Sequence, residues 1–279
     1  MSIASEIIDL NTNLANAKNA VVAKGGSVTD SGLAGLSSEI AGIPSGGASD
    51  DNYHAFYAGT SRNVYDNTIT TLPTYFLAYA DFAASQRGDT FSFPAATSAG
   101  DSVFYGVASS AASGRVIIDL PNLTTVGRQF MQNSRPVSVN LPKLTTAGDA
   151  LFRQVRAGAE YKFSFPKLTS MGVNSFSNTS TVAWLDFGDM TANSLSCGSG
   201  CFGSTRNLST VIFRYQQMVP FVSGMFSESL IASGTGYIYV PKSLVDTYKT
   251  DSGWSTYASQ FRAIEDYSDD GTATGEITP

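Results

Sequence analysis

The stretch that decides the fold reads FSFPAATSAGDSVF at residues 91–104, and it recurs as IDLPNLTTVGRQF (118–130), VNLPKLTTAGDALF (139–152) and FSFPKLTSMGVNSF (163–176). In each copy the proline precedes a glycine by six residues and a phenylalanine by nine or ten. With weaker copies included, the equivalent positions are residues 73, 94, 121, 142, 166, 188, 214 and 241, at a mean spacing of 24 residues. Such a register indicates one structural unit repeated along the chain.

Each repeat predicts one short β-strand that is followed by a turn. In residues 137–141 (VSVNL) apolar and polar side chains alternate, which places them on opposite faces of a strand. The proline ends the strand because it has no N–H for a central ladder. A period of about 20 to 29 residues built on such strands is typical of a leucine-rich-repeat solenoid, in which stacked coils cover one another's apolar faces. We therefore expect an internal aromatic column formed by Phe82, Phe104, Phe130, Phe152, Phe176, Phe202 and Phe226.

Residues 1–44 have a different, helical periodicity. Apolar residues spaced by 4, 3, 4, 3 and 4 form one seam, which consists of Ile3, Ile7, Leu10, Leu14, Ala17 and Val21. The same spacing resumes between Leu33 and Ile43, so the segment predicts a pair of helices. Because so short a seam is marginal alone, we expect an oligomerisation or docking stalk. A helical cap on the following domain is the alternative.

Composition argues against several classes of function. Charged residues make up only 14% of the 279 residues, the net charge is −6, and basic residues are scattered, which disfavours a nucleic-acid partner. No apolar run is long enough to cross a bilayer, and the N-terminus lacks a signal-peptide pattern. The spacing of Cys197 and Cys201 does not predict a zinc site, and the single histidine, His54, has no recognisable nucleophile partner. We expect a non-enzymatic protein with no cofactor, no metal and no membrane insertion.

The outward face of the stacked strands is the predicted binding surface. Side chains two and four residues before each proline-equivalent position line up in two columns, and the candidate binding residues among them are Lys162, Ser164, Trp184, Asp186, Tyr237 and Tyr239. Exposed aromatic residues among polar ones are typical of recognition surfaces. The β-propensity of aromatic residues is the alternative explanation. Two strand carboxylates, Asp119 and Asp186, lie three repeats apart, roughly 14 Å, which argues against a glycosidase pair.

The repeats resemble the BspA-type leucine-rich repeat, through the steps LTTVG (123–127), LTTAG (144–148) and LTSMG (168–172). The run 238–249, followed by Trp254 and Phe261, is similar to the terminal unit of that family, which closes the exposed end of the core. The resemblance implies a solenoid of short parallel strands with turns and short helices. Units at Gly188 and Arg214 depart from the family pattern because they lack the proline.

The leader is similar to the helical leaders of bacteriophage tail-fibre and other virion proteins, through residues 17–29 (AKNAVVAKGGSVT) and 33–44 (LAGLSSEIAGIP). This resemblance implies that the N-terminal helices dock to other virion proteins or form a homo-oligomer such as a trimer. The predicted organisation is a helical stalk (1–44), a linker (45–52), a leucine-rich-repeat solenoid (53–236), a capping unit (237–264) and an acidic flexible tail (265–279).

These observations lead to one function hypothesis and three alternatives. The chain is expected to be a bacteriophage virion fibre or receptor-binding protein, made in the host cytoplasm and placed on the particle surface, that adheres to a host surface glycan or protein. A purely structural head fibre or decoration protein, a bacterial BspA-like surface adhesin, and a depolymerase are the alternatives.

Overall fold

The computed structural model describes residues 63–78, 87–107, 115–156 and 162–267. Over these ranges the chain forms a parallel β-solenoid of about seven coils, with little helix. The predicted repeat solenoid of short parallel strands is therefore confirmed. The predicted stalk with its six seam residues, the linker, His54, and residues 268–279 lie outside the described residues.

The longer strand of each coil lies on one face, in two parallel sheets. The first sheet contains β1 (Asn63–Tyr65), β3 (Arg87–Ser92), β5 (Arg115–Asp119) and β7 (Pro136–Asn140). The second contains β9 (Phe163–Phe165), β11 (Trp184–Gly188), β13 (Thr210–Arg214), β14 (Tyr237–Val240) and β15 (Phe261–Ala263). We call this face the long-strand face.

Two-residue strands form the second face as one six-stranded parallel sheet. Its members are β2 (Thr71–Leu72), β4 (Ser98–Ala99), β6 (Thr125–Val126), β8 (Thr146–Ala147), β10 (Ser170–Met171) and β12 (Ser196–Cys197). Because β8 pairs with β10, the stack is continuous between the coil that holds β7 and the coil that holds β9.

Strand pairing confirms the alignment of the repeats. In the first sheet Ser92 pairs with Asp119, which pairs with Asn140, and each lies two residues before its proline. In the second sheet Ser164 pairs with Asp186 at the equivalent position. The prolines of these coils therefore occupy matching corners.

The first coil departs from the predicted alignment. Leu72 pairs with Ala99, so Pro73 occupies the position of Gly100 rather than that of Pro94. Tyr65 pairs with Ser92, which puts Asn67 at the proline position. The assignment of Pro73 as a proline-equivalent position was therefore wrong by six residues, because a Leu-Pro step can end either a long or a short strand.

A threonine of the recurring Leu-Thr step stabilises the stacking between coils. The Thr124 hydroxyl donates to the Thr97 carbonyl at 2.8 Å, and the Thr145 hydroxyl donates to the Thr124 carbonyl at 2.9 Å. The Thr169 hydroxyl continues the series to the Thr145 carbonyl at 3.1 Å. Each such bond contributes about 1 kcal/mol.

The third face consists of turns, and we call it the turn face. Six turns in the described ranges each hold two residues at positive φ, four positions apart, such as Ala150 (57°) and Gln154 (58°). This conformation directs alternate N–H groups towards the next coil: Phe152 N–H donates to the Ser175 carbonyl at 2.7 Å, and Gln154 N–H donates to the Ser177 carbonyl at 3.0 Å. The turns therefore satisfy their backbone groups in a ladder along the stack.

Aromatic side chains fill the core between the faces. Ring centroids lie 5.3 Å apart for Phe152 and Phe176 and also for Phe202 and Phe226. The ring centroids of Phe130 and Phe104 lie 5.3 Å apart. Met131, however, holds the column position of this coil, because its N–H donates to the next coil as the N–H groups of Phe104 and Phe152 do. The spacing of nine rather than ten residues after the proline causes this offset. Phe82 lies outside the described residues.

The C-terminal segment covers the last coil. It comprises a 3₁₀ turn (Lys242–Leu244), helix α1 (Val245–Thr250) and a 3₁₀ segment (Ser255–Gln260) that leads into β15. Trp254 Nε1 donates to the Val219 carbonyl at 2.8 Å, and Val219 N–H donates to the Tyr248 hydroxyl at 2.7 Å. Both aromatic rings are buried, so they close the end of the core.

Candidate functional site

The second sheet brings the predicted binding residues together on the long-strand face. Phe163 and Phe165 of β9 point into the core, which leaves Ser164 between them exposed on the outer side. Ser164 pairs with Asp186 of β11, and one strand further Thr210 pairs with both Trp184 and Tyr237. Paired positions of neighbouring strands are about 4.8 Å apart, so these side chains belong to one surface.

Aromatic rings and cations form a compact cluster on this surface. The Lys162 Nζ lies 5.2 Å from the Trp184 ring centroid, and the Arg262 Cζ lies 4.6 Å from the Tyr237 ring centroid. Trp184 Nε1 donates to the Tyr267 hydroxyl at 3.0 Å. These five residues, of which Lys162 is exposed and the others are half-buried, are called the aromatic patch. Cation–π contacts of this kind contribute about 0.5–1 kcal/mol where exposed.

Two predicted binding residues are buried, so the expectation that they face solvent is wrong. Tyr239 is 1% exposed and Asp186 is 7% exposed. Tyr267 covers Tyr239, with ring centroids 4.8 Å apart, and Ile264 packs against the same group of side chains. A packed segment therefore continues through Tyr267, three residues into the region predicted as a flexible tail.

Asp186 is held by a buried cation. The Arg214 Nε donates to both carboxylate oxygens, at 2.9 and 3.0 Å, from the neighbouring strand. Burial raises the pKa of Asp186, and the hydrogen bond and charge of Arg214 lower it, with a net upward shift. The carboxylate is therefore engaged within the fold and is not presented to a ligand.

The outer side of the first sheet carries a polar ladder around Asp119, and the exposed ring of Tyr65 lies next to Ser92 in the same column. Asp119 accepts a hydrogen bond from the Ser92 hydroxyl at 2.8 Å and another from Asn140 Nδ2 at 2.7 Å. Asp119 and Asp186 lie three coils apart, as predicted, and each is bonded to its own neighbours. The two carboxylates do not form one site.

The two cysteines are free thiols: Cys197 is the last residue of β12, and Cys201 lies in the turn that follows it. The Cys201 thiol donates to the Gly198 carbonyl at 2.6 Å. The hydrogen bond with Cys201, together with burial, raises the pKa of Cys197 well above its ordinary value. A thiol with a raised pKa is a poor nucleophile at neutral pH.

Within residues 63–78, 87–107, 115–156 and 162–267, no group of three or more His, Cys, Asp or Glu side chains could hold a metal ion. No helix in the same ranges is long and apolar enough to span a membrane.

Sequence reasoning missed two members of the aromatic patch. Arg262 pairs with Tyr239 and so extends the outer column by one strand. The alternation of side chains would have identified Arg262 if residues 261–263 had been predicted as a strand. Tyr267 contacts Trp184 across 83 residues of sequence, and no periodic signal points to it.

Comparison with known proteins gives no relative: no family model matches the chain, and neither does any curated protein. The chain is a parallel β-solenoid by architecture, and the aromatic patch is its candidate binding surface.

Proposed function

We propose that this chain is a bacteriophage virion fibre or receptor-binding protein that adheres to the host cell surface through its solenoid, by binding and without catalysis. The observation that carries the proposal is the aromatic patch. Trp, Tyr and Arg are the residues enriched at recognition surfaces and at the positions that dominate binding energy. Half-buried rings beside cationic and hydroxyl groups suit a glycan, which offers apolar ring faces and polar edges, and they also suit a protein receptor.

The proposal includes the finer class of the solenoid, a BspA-type leucine-rich repeat. Its support is the Leu-Thr-x-x-Gly step, whose threonine bonds to the preceding coil at residues 124, 145 and 169. Stacked coils of this kind present a rigid surface, so a ligand that binds there does not have to order a loop.

The N-terminal part of the proposal concerns attachment. Residues 1–44 dock the chain to other virion proteins or join copies of it, a trimer being one such form, and so place the solenoid on the particle surface. The support is the regular spacing from Ile3 to Val21 and the resemblance to virion leaders. Light scattering should show an oligomer for the full chain and a smaller species for Leu10→Glu/Leu14→Glu. A monomeric wild-type protein would remove this part of the proposal.

Adhesion is tested with labelled full-length protein on a panel of bacterial cells and purified wall glycans. Trp184→Ala should reduce retention at least about tenfold, which corresponds to about 1.4 kcal/mol. The matched control is Tyr75→Asn, which removes an exposed ring on the turn face (62% exposed, φ 61°) and replaces it by a residue that tolerates positive φ. Equal binding by wild type, Trp184→Ala and Tyr75→Asn would exclude the aromatic patch as the binding surface.

The same panel separates the alternatives. Wild-type protein that binds purified virion proteins but no cells would point to a head fibre or decoration protein. Release of reducing sugar from the glycans would point to a depolymerase.

A further inference from the structure

A cleft of 290 Å³ lies on the turn face, and its lining contains no residue of the long-strand face. The first positive-φ residues of successive turns form a column, in which Ala150 (57°) lies between Gln129 (57°) and Asn174 (56°) of the adjacent coils. The cleft lies at Ala150 in this column. Ala150 has a methyl group where the adjacent coils have amide side chains, and all three residues line the cleft.

The cleft has a net positive lining in a chain whose net charge is −6. Two guanidinium groups, those of Arg128 and Arg153, line it together with one carboxylate, that of Asp149. Asp149 Oδ1 already accepts a hydrogen bond from Val173 N–H at 2.9 Å.

The two arginines differ in what they offer a ligand. The Nε of Arg153 is buried and has no hydrogen-bond partner within the described part of the chain, so a ligand in the cleft does not reach that atom. The Arg128 Nε lies 3.6 Å from Asp101 Oδ2 in an ion pair, and the Arg128 side chain is 66% exposed. The other N–H groups of an exposed guanidinium can donate to a ligand.

We infer that this cleft binds a carboxylate-bearing sugar unit, such as a uronic acid residue of a bacterial polysaccharide. Guanidinium groups bind planar carboxylates through paired hydrogen bonds. The amide of Asn174 can donate to and accept from hydroxyl groups, and Val173, which is 38% exposed, offers an apolar contact to a ring face. The volume lies at the small end of ligand sites, which fits one or two sugar units.

The cleft site differs from the aromatic patch in face, residues and ligand charge, and it does not depend on the adhesion proposal. It predicts that acidic glycans are held at a second place on the solenoid.

The test is a calorimetric or NMR titration of the full-length protein with trigalacturonate. Ala150→Gln fills the gap with the residue that already holds positive φ in the neighbouring coil, and Arg128→Gln removes an exposed cation without disturbing the core. Each should weaken binding about tenfold or more. The control is Asn178→Gln, an exposed positive-φ position outside the cleft lining, which should bind as the wild type does.

Other titrants decide the ligand class. Neutral trigalactose should bind at least about tenfold more weakly than trigalacturonate; equal binding would overturn the role of the carboxylate. Acetate or inorganic phosphate that competes as well as trigalacturonate would reduce the site to a simple anion site and overturn the sugar assignment. Absence of saturable trigalacturonate binding, or full binding by Ala150→Gln with wild-type thermal stability, would overturn the proposal.

Discussion

Removal of the carboxylate from the buried Asp186–Arg214 pair should destabilise the solenoid, whereas removal of both charges should not. Asp186→Leu removes the carboxylate that pairs with the buried Arg214 guanidinium, and we expect a loss of about 3–5 kcal/mol in the free energy of unfolding. For a protein of this size that corresponds to a fall in Tm of roughly 6–20 °C. In Asp186→Leu/Arg214→Met no charge is buried, and stability should equal or exceed that of the wild type by about 1–4 kcal/mol.

The magnitude follows from the burial and geometry of the pair. The Asp186 and Arg214 side chains are 9% and 7% exposed, and the Nε–carboxylate distance of 2.9 Å is already optimal. Even so, burial raises the pKa of Asp186 more than Arg214 lowers it. The folded chain therefore favours the neutral form of Asp186 more than water does, so the contact with Arg214 does not fully offset the burial of this carboxylate.

The same shift gives a pH dependence with a definite sign. Because the folded pKa of Asp186 lies above its ordinary value of 3.8, the folded chain binds more protons than the unfolded chain in the interval above pH 3.8. This group's contribution to stability is therefore present below pH 3.8 and is lost as the pH rises through the raised pKa. The double variant should gain stability relative to the wild type over that interval.

Urea denaturation of wild type, Asp186→Leu, Arg214→Met and the double variant gives the coupling free energy. A double variant as unstable as Asp186→Leu would refute the reasoning, because the pair would then be a net stabilising interaction. Cell retention of the folded double variant provides a second readout: wild-type retention is expected, and a specific loss would mean that Asp186 contacts the receptor after all.

Three further substitutions test the stacking and the cap by urea denaturation. Gly148→Ala places a methyl group 2.8 Å from backbone atoms of the preceding coil and should cost about 3 kcal/mol, whereas Gly224→Ala, with no atom within 4 Å of the added carbon, should cost only about 1 kcal/mol for its positive φ. Trp254→Phe leaves the Val219 carbonyl without its indole donor and should cost about 1–3 kcal/mol. Tyr248→Phe leaves the Val219 N–H without an acceptor and should cost a similar amount, about 1–3 kcal/mol. Equal effects of the two glycine substitutions, or silent aromatic substitutions, would contradict the packing described above.

The repeat register was predictable because the same physical constraints act on four successive coils. In these coils a proline ends the long strand, and a glycine follows where neighbouring coils approach too closely for a Cβ, as at Gly148. Spacing between these two residues is therefore fixed in the sequence itself. Prediction was weaker at Pro73, because the glycine that follows the proline by six residues in the four clear repeats was not required there.

The surface was less predictable than the register because its properties depend on contacts between distant coils. Alternation placed Tyr239 on the outer side of its strand, which is correct, but exposure depends on whether another segment covers that side. The covering residue, Tyr267, lies beyond the last repeat and carries no periodic signal. The cleft at Ala150 has a sequence signal only after alignment, when a methyl is seen between the amides of Gln129 and Asn174.

The packed C-terminal segment covers part of the second sheet, so the two sheets of the long-strand face have different outer surfaces. On the first sheet Ser92 and Asn140 both bond to Asp119. On the second sheet the packed C-terminal segment buries the middle of the face and holds Trp184 at its margin through the Tyr267 hydroxyl. A ring that is fixed in this way loses little conformational freedom on binding, so more of its contact energy remains as affinity. The segment that ends the fold is therefore also the one that shapes the proposed adhesion surface.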